Sequence, residues 1–159
     1  MQIEVINKQR SFPINRRQIA NFAVDVLDAV DSIEKIRVKD FGVSIVFVTN
    51  SYIQRLNRDF RAINKPTDVL SFSYSLENPK SELKMEFPTL LEEQHLGDIV
   101  ISTETAAKYA EKLGLTFELE VKRLVVHGLI HLCGYDHETD NGEMSALEKK
   151  VRRRLLSSR

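Results

Sequence analysis

The sequence contains a single cysteine, Cys133, so the chain has no second thiol with which to form an internal disulfide bond. It also lacks an apolar N-terminal signal region and any run of 18 apolar residues. We therefore expect neither a secretory signal nor a membrane-spanning helix. Proteins with these features are typical of a reducing compartment, and we expect a cytoplasmic protein with no membrane partner.

The sequence also has no excess of basic residues. Lysine and arginine total 23, aspartate and glutamate total 23, and the formal net charge is zero. This balance gives no support for a generally basic nucleic-acid binder, so any such surface must be local. The length of 159 residues and the hydrophobic content of 42% agree with one globular core, and we predict a single catalytic domain over residues 1–159.

Three of the four histidines lie in the segment HGLIHLCGYDH, which begins at His127 and ends at His137. His127 and His131 are four residues apart, so about 40° of rotation and about 6 Å of rise separate them on one helix face. The neighbouring side chains are apolar almost all round, which makes unpartnered histidines there costly. Gly134 can end the helix with a positive φ and allow the chain to return His137 toward the same point. This order predicts a metal site with three imidazole ligands.

Three neutral imidazoles suit zinc, although nickel, copper and iron accept the same ligands. We predict one divalent metal ion, with Zn2+ favoured, and an open fourth position typical of a catalytic site. Zinc proteases of this spacing carry a general-base glutamate after the first histidine, where this sequence has Gly128, which disfavours a peptidase. Gly128 indicates either clearance for substrate or another backbone, or close packing of two elements. Cys133 is expected to point away from the site as a core thiol.

Hydrophobic periodicity and turn residues predict the elements along the chain. They are a strand at 2–6, a helix from Pro13 to about Val30, a strand at 43–48, a helix capped by Thr49 or Asn50, a strand at 68–74, a strand at 99–102, a helix capped by Thr103 and ended by Gly114, the histidine helix from about Phe117, and a last helix capped by Asp140 with Glu143. This order predicts an α+β fold. Its small mixed β-sheet packs on a central buried helix that carries two metal-ligand histidines, and further helices cover that helix.

Two further features concern access to the site. The long connection at 75–95 is typical of a lid or a binding loop, and His95 at its end is expected to be structural or solvated. Arg55, Arg58 and Arg61 recur every third residue and form a basic stripe on the second predicted helix. Such a stripe is either a solvated face or a local surface for an anionic substrate.

Three ordered blocks of the sequence carry a family resemblance. They are the histidine segment at 127–137, Phe60-Arg61 followed by KPTDVLSF at 65–72, and LGDIVIS at 96–102. Together they resemble the YbeY family of bacterial endoribonucleases, and the resemblance spans about residues 40–155. Ile130 stands where the family usually has leucine, and Ser73 stands where the family often has proline. Both changes are conservative and do not affect the proposed chemistry.

The resemblance implies a metal-dependent, single-strand-specific endoribonuclease that acts in ribosomal RNA maturation, notably at the 3′ end of the small-subunit 16S RNA, and in ribosome quality control. It implies that the metal ligands are His127, His131 and His137, and that Arg61 is the functional arginine. Single-stranded RNA, ribosomal RNA or the ribosome is the expected partner, with Arg55 and Arg58 as further candidate substrate-binding residues. The residues alone predict only a three-histidine hydrolytic metal site beside a basic stripe.

Other interpretations remain open at this point. A noncatalytic ribosome-assembly or RNA-binding module could use the metal only to hold the fold together, and a fourth protein ligand such as Asp136 would favour that view. Another zinc hydrolase, such as a peptidase, is the second alternative, and Gly128 argues against it. The residues also leave open whether water activated by the metal or the 2′-hydroxyl of the RNA attacks the phosphorus.

Overall fold

The computed structural model describes residues 2–36, 38, 41–74, 95–136 and 138–156. The elements in these residues follow the order that the sequence predicts. They are β1 (Ile3–Asn7), α1 (Arg16–Glu34), β2 (Gly42–Val48), α2 (Asn50–Arg61), β3 (Val69–Ser73), β4 (His95–Ser102), α3 (Thr103–Leu113), α4 (Phe117–Leu132) and α5 (Glu143–Leu155). His137 and the predicted loop at 75–95, except for His95, lie outside the described residues. No helix in the described residues is long and apolar enough to span a membrane.

The four strands form one mixed sheet in the order β1-β2-β4-β3. β1, β2 and β4 are parallel, whereas β3 pairs with β4 in the antiparallel direction. β-branched and aromatic residues dominate β2, where all but the first residue are buried, as expected for a strand covered on both faces. The mixed sheet of the sequence prediction is confirmed.

Helices cover both faces of the sheet, and α4 occupies the centre of the larger core. On this side, Ile45 and Ile99 of the sheet belong to one cluster with buried residues of α1, α4 and α5. On the opposite side, Val46 and Val100 pack with Ile53 and other apolar residues of α2. Successive strand residues point to opposite faces, which is why alternate positions of β2 and β4 belong to different clusters. The predicted α+β fold with a central buried helix is confirmed.

The start of α1 differs from the sequence prediction. The helix begins at Arg16 rather than at Pro13 and continues beyond Val30. Asn15 determines this start, because its Oδ1 accepts a hydrogen bond from the backbone N–H of Gln18 at 3.0 Å. An amide oxygen in this position satisfies a backbone donor that the first helical turn leaves without a partner.

The junction between β4 and α3 also differs from the prediction. β4 begins at His95, so it is longer than the strand predicted at 99–102. Ser102 rather than Thr103 caps α3, because Ser102 Oγ accepts a hydrogen bond from the N–H of Thr105 at 3.3 Å. Two adjacent hydroxyl residues can both act as caps, and here the first of them does.

The last helix begins at Glu143 rather than directly after Asp140. The Asp140 carboxylate still accepts hydrogen bonds from the N–H groups of Gly142 at 2.9 Å and Met144 at 2.8 Å. Glu143 in turn accepts a hydrogen bond from the N–H of Asn141 at 2.8 Å. The predicted cap at Asp140 is therefore wrong: the cap residue is Gly142, which forms no side-chain cap bond. Asp140 and Glu143 instead accept hydrogen bonds from backbone N–H groups of the turn and of the first helical residues.

Two glycines allow α4 and the sheet to approach closely. A Cβ added at Gly97 would collide with the carbonyl oxygen of Phe72 and would lie 2.8 Å from Leu132 Cδ2. A Cβ added at Gly128 would lie 2.9 Å from Ile99 Cγ2. Side chains have no room at either position in a close-packed interior. Of the two explanations for Gly128, the structure supports close packing of two elements, α4 and β4.

His95 is structural rather than solvated. Its ring is buried, and its Nε2 lies 3.2 Å from Asp98 Oδ1 on the same strand. The hydroxyl of Tyr74 donates a hydrogen bond to the other oxygen of Asp98. Burial, followed by this hydrogen bond and the charge of Asp98, raises the pKa of Tyr74 far above its usual value. Asp98 therefore pairs with both Tyr74 and His95 inside the fold, whereas His95 Nδ1 is buried without a hydrogen-bond partner among the described residues.

Candidate active site

Helix α4 presents His127 and His131 to a cleft beside β3, an edge strand of the sheet. Thr116 caps this helix, because its Oγ1 accepts a hydrogen bond from the N–H of Leu119 at 3.1 Å. The ring centroids of the two histidines are 4.8 Å apart, and the rings are inclined at 80° to each other. Both rings line the same cleft, which has a volume of about 490 Å³. The predicted face with two adjacent imidazoles is therefore present.

The cleft lies between the end of α2, strand β3, the end of α4 and the turn that follows α4. Its polar lining includes Arg61, Asp68, Ser71, His127, His131, Asp136 and Glu138. Carboxylates outnumber the single arginine in this lining. A bound divalent cation would offset their charge and allow an anionic substrate to enter.

Arg61 reaches the cleft from the C-terminal end of α2. Ala62 ends this helix in the left-handed conformation, with φ of 59°, and its N–H donates to the carbonyl of Arg58 at 3.1 Å. The buried side chain of Asn57 donates to the carbonyl of Lys65 at 2.8 Å and holds the connection to β3 in place. Within the described part of the chain, no ion pair or hydrogen bond of the Arg61 side chain is seen. A surface ion pair with a glutamate therefore has no support there.

Arg55 and Arg58 are not among the residues that line this cleft. The Arg55 guanidinium lies 4.6 Å from the centroid of the Tyr52 ring, a cation–π contact. Arg58 Nε lies 3.1 Å from Asp59 Oδ1 in an exposed pair. Of the three arginines in the predicted stripe, the structure brings only Arg61 together with the histidines. A role for Arg55 and Arg58 in substrate binding stays a prediction.

Glu148 is a site residue that the sequence analysis missed. It lies on α5 and is only 8% exposed; its Oε1 is 3.1 Å from His127 Nδ1, and its Oε2 is 3.3 Å from Arg152 Nη2. Burial alone would raise the pKa of Glu148, but the hydrogen bond with His127 and the positive charges of His127, Arg152 and His131 together lower it. Glu148 is therefore a carboxylate at neutral pH. A sequence signal existed, because Glu148 falls within the apolar stripe of α5.

The turn after α4 is organised by backbone and side-chain hydrogen bonds. Gly134 has a φ of 103°, as the sequence predicts, and its N–H donates to the carbonyl of His131 at 2.9 Å. The hydroxyl of Tyr135 donates a hydrogen bond to Glu34 at the end of α1. Asp136 Oδ1 accepts a hydrogen bond from the N–H of Glu138 at 3.0 Å. Because a carboxylate has two acceptor oxygens, this bond leaves the alternative of Asp136 as a fourth metal ligand untested.

Cys133 follows the last residue of α4 and packs against the main core. It is half-buried and does not line the cleft. Burial, followed by the charge of Asp31, raises the pKa of its thiol to about 12, so the thiolate form that binds metals is disfavoured. These observations agree with the expectation of a core thiol outside the site.

The residues present suit a divalent metal ion, although the described residues contain no complete ligand set. No group of three or more histidine, cysteine, aspartate or glutamate residues that could hold a metal occurs among them. The third predicted ligand, His137, lies outside these residues. His127 and His131 supply two adjacent imidazoles, and Glu148 supports the first by a hydrogen bond to Nδ1. A carboxylate behind a ligand histidine is the usual arrangement in protein zinc sites.

Comparison with known proteins gives consistent matches over the chain. A sequence model of the family described as Endoribonuclease YbeY matches residues 4–156. A protein of that description from Syntrophomonas wolfei is 35% identical over 161 residues, which cover 100% of both chains. One from Heliobacterium modesticaldum is 42% identical over 118 residues, which cover 73% of this chain and 70% of the relative. A solution structure from Thermotoga maritima matches with a TM-score of 0.57 and 26% identity, over 98% of this chain and 90% of that one.

Proposed function

Because the chain belongs to the YbeY family of endoribonucleases, we propose that it cleaves single-stranded RNA at a metal centre formed by His127, His131 and His137. Membership of this family makes the protein an endoribonuclease, a hydrolase that acts on RNA phosphodiester bonds. The proposed substrate is ribosomal RNA in the cytoplasm, at the 3′ end of the small-subunit 16S RNA. The same activity would serve ribosome quality control, with residues 1–159 acting as one catalytic domain.

One observation carries this proposal: Arg61 and the two adjacent histidines line the same cleft. They come from different elements, the end of α2 and the last turns of α4, and β3, β4 and α3 lie between these elements along the chain. A guanidinium can bind two oxygens of one phosphate in a planar, bidentate contact. Arg61 therefore supplies an anion-binding group beside imidazoles that can bind a cation.

In the proposed mechanism, Arg61 binds the scissile or neighbouring phosphate and orients it in the cleft. Its charge stabilises the negative charge that grows on the phosphate oxygens in the transition state. The metal ion, preferably Zn2+, supplies Lewis-acid chemistry when it is bound by the three histidines. Glu148 keeps its hydrogen bond with His127 Nδ1 throughout, so that this ring stays in one orientation.

The first experiment measures metal content and cleavage on the same preparation. We expect about one divalent ion per chain by elemental analysis, and its loss in a variant with alanine at His127, His131 and His137. Single-stranded RNA should be cut by the metal-loaded protein, whereas matched duplex RNA and the chelator-treated protein serve as controls. Stoichiometric metal in the triple variant would contradict the proposed centre.

Analysis of the RNA ends then identifies the nucleophile. A 2′,3′-cyclic phosphate would indicate attack by the RNA 2′-hydroxyl, whereas a 3′-hydroxyl with a 5′-phosphate would indicate attack by water. A metal-loaded protein that binds RNA but cuts neither single-stranded nor ribosomal substrates would instead support a noncatalytic RNA-binding role.

A further inference from the structure

The contact between Glu148 and His127 joins two helices at the edge of the candidate active site. Glu148 Oε1 lies 3.1 Å from His127 Nδ1, within hydrogen-bond distance. The other carboxylate oxygen, Oε2, lies 3.3 Å from Arg152 Nη2, one turn further along α5. The side chain of Glu148 is 11% exposed and that of His127 is 30% exposed. The carboxylate is therefore largely enclosed, and each of its oxygens has a cationic or donor partner.

The chemistry of the two groups decides which of them carries the hydrogen. A carboxylate has only acceptor oxygens, so the hydrogen in this contact belongs to Nδ1 of His127. A neutral imidazole has one N–H and one nitrogen with a free lone pair. With the hydrogen on Nδ1, the lone pair is on Nε2. The contact thus selects one of the two neutral tautomers of His127.

The packing of α5 holds the carboxylate at this position. Met144, Leu147 and Val151 are buried and lie on the same face of α5 as Glu148. A charged residue at such a core position is costly unless its partners compensate for the lost hydration. Arg152 compensates part of this cost but touches only one oxygen. The second oxygen is committed to the histidine, which points to a role beyond an ordinary ion pair.

We propose that Glu148 is a positioning residue for the metal centre, which fixes His127 in the Nδ1–H tautomer and so keeps Nε2 available to the ion. This inference rests on the proposed function, because it concerns a ligand of the same metal site. Carboxylate partners of this kind typically change metal affinity by about 10-fold to 100-fold when they are removed. Glu148 itself binds neither metal nor RNA in this assignment.

The tautomer can be read directly in the wild-type protein. Long-range 15N–1H spectra of the 15N-labelled, chelator-treated protein at mildly alkaline pH distinguish Nδ1–H from Nε2–H imidazoles. We expect the Nδ1–H form for His127 in the wild type and a shift toward a mixture of tautomers in Glu148→Ala. An Nε2–H signal for His127 in the wild type would overturn the inference without the need for any variant.

Metal affinity supplies the second readout, by competition with a chromophoric chelator for zinc. Glu148→Ala should weaken binding by about 10-fold to 100-fold. Glu148→Gln should lose less, because its amide oxygen can still accept from Nδ1–H. Glu138→Ala is the matched control: it removes a carboxylate that lines the same cleft, and we expect a change of about twofold or less, as for an exposed charge. Thermal midpoints of all variants report whether the fold is retained.

The outcomes separate the inference from the proposed function. If the wild type binds no divalent ion, the proposed metal centre is wrong and this inference falls with it. If the wild type binds one ion but Glu148→Ala and Glu138→Ala have equal affinities, only the inference is overturned. If Glu148→Ala does not fold, Glu148→Gln and the wild-type tautomer still decide the question. Arg152→Met provides a further control, because it removes the partner of Oε2 and should leave the His127 tautomer unchanged.

Discussion

Helices α4 and α2 bring different groups to one cleft, and they hold those groups in opposite ways. α4 crosses the centre of the main core, and most of its residues are buried, so His127 and His131 extend from a rigid support. α2 lies on the other side of the sheet, and Arg61 is its last, exposed residue. The difference suits the tasks that we propose for these residues. Metal ligands must keep a fixed geometry, whereas a phosphate-binding arginine can adjust to the substrate.

The largest expected effect is the loss of a ligand from the rigid helix. His131→Ala should abolish metal retention and reduce RNA cleavage to the level of the metal-stripped protein, with little loss of stability. The loss of stability should be small because His131 is only partly buried and alanine has a higher helix propensity than histidine. Elemental analysis, a cleavage assay and thermal unfolding check the three parts. His95→Ala is the matched control, since it should lower stability yet leave metal affinity unchanged; the opposite pattern would contradict the assignment.

The next effect concerns the exposed helix end. Arg61→Ala should lower kcat/KM for single-stranded RNA by about a hundredfold, as expected when a donor to a charged transition state is lost. Arg61→Lys should be nearly as inactive, because an ammonium cannot form the bidentate contact. Metal content and thermal stability should stay at wild-type values in both. Arg153→Ala, which removes an exposed arginine of α5 outside the cleft, is the control, and full activity of both Arg61 variants would remove Arg61 from the mechanism.

A smaller effect tests the close packing of α4 against β4 at Gly128. Gly128→Ala should lower the free energy of unfolding by about 1–3 kcal/mol, because the added methyl group would lie 2.9 Å from Ile99 Cγ2. Helix propensity alone would predict a gain of about 1 kcal/mol. Denaturant unfolding of Gly128→Ala, Ile99→Ala and the double variant gives the coupling between the two sites. Strictly additive effects would mean that Gly128 has another role.

The smallest effect is expected at the end of α2. Ala62 has a φ of 59°, a conformation that glycine adopts without the steric cost of a Cβ. Ala62→Gly should therefore raise the free energy of unfolding by about 1 kcal/mol or less, after the larger chain entropy of glycine is counted. Lys35→Gly, at another non-glycine residue of positive φ, should act in the same direction. A clear destabilisation in both would contradict this account of the helix ends.

Sequence periodicity sufficed for the order of the elements and for the histidine pair, because both depend on local spacing. The side chains at His127 and His131 share a face in any helix, whatever its surroundings. The same reasoning treated Arg55, Arg58 and Arg61 as one stripe. It could not show that α2 ends directly after Arg61, because an alanine in the left-handed conformation has no sequence signature.

Glu148 escaped sequence analysis for a different reason. Its partner His127 lies 21 residues earlier in the chain, and only the packing of α5 against α4 brings the two together. A local pattern such as Asp140 with Glu143 is visible in sequence because its members are only three residues apart. The start of α3 was misplaced because two adjacent residues, Ser102 and Thr103, could each act as a cap. Serine and threonine can both cap a helix, so the backbone conformation and not the residue type decides which of them does so.

The central position of α4 has a consequence for exchange of its amide hydrogens with solvent. Local opening of this helix would expose buried residues that contact the sheet, α1 and α5 at once, so its amides should exchange only through nearly global unfolding. The last turn of α2 has one exposed side and can open without disturbing that core. Amide protection should therefore be highest beneath the histidines and low at Arg61. The α4 side of the cleft should therefore open only when the whole protein unfolds, whereas the last turn of α2 should open by local unfolding.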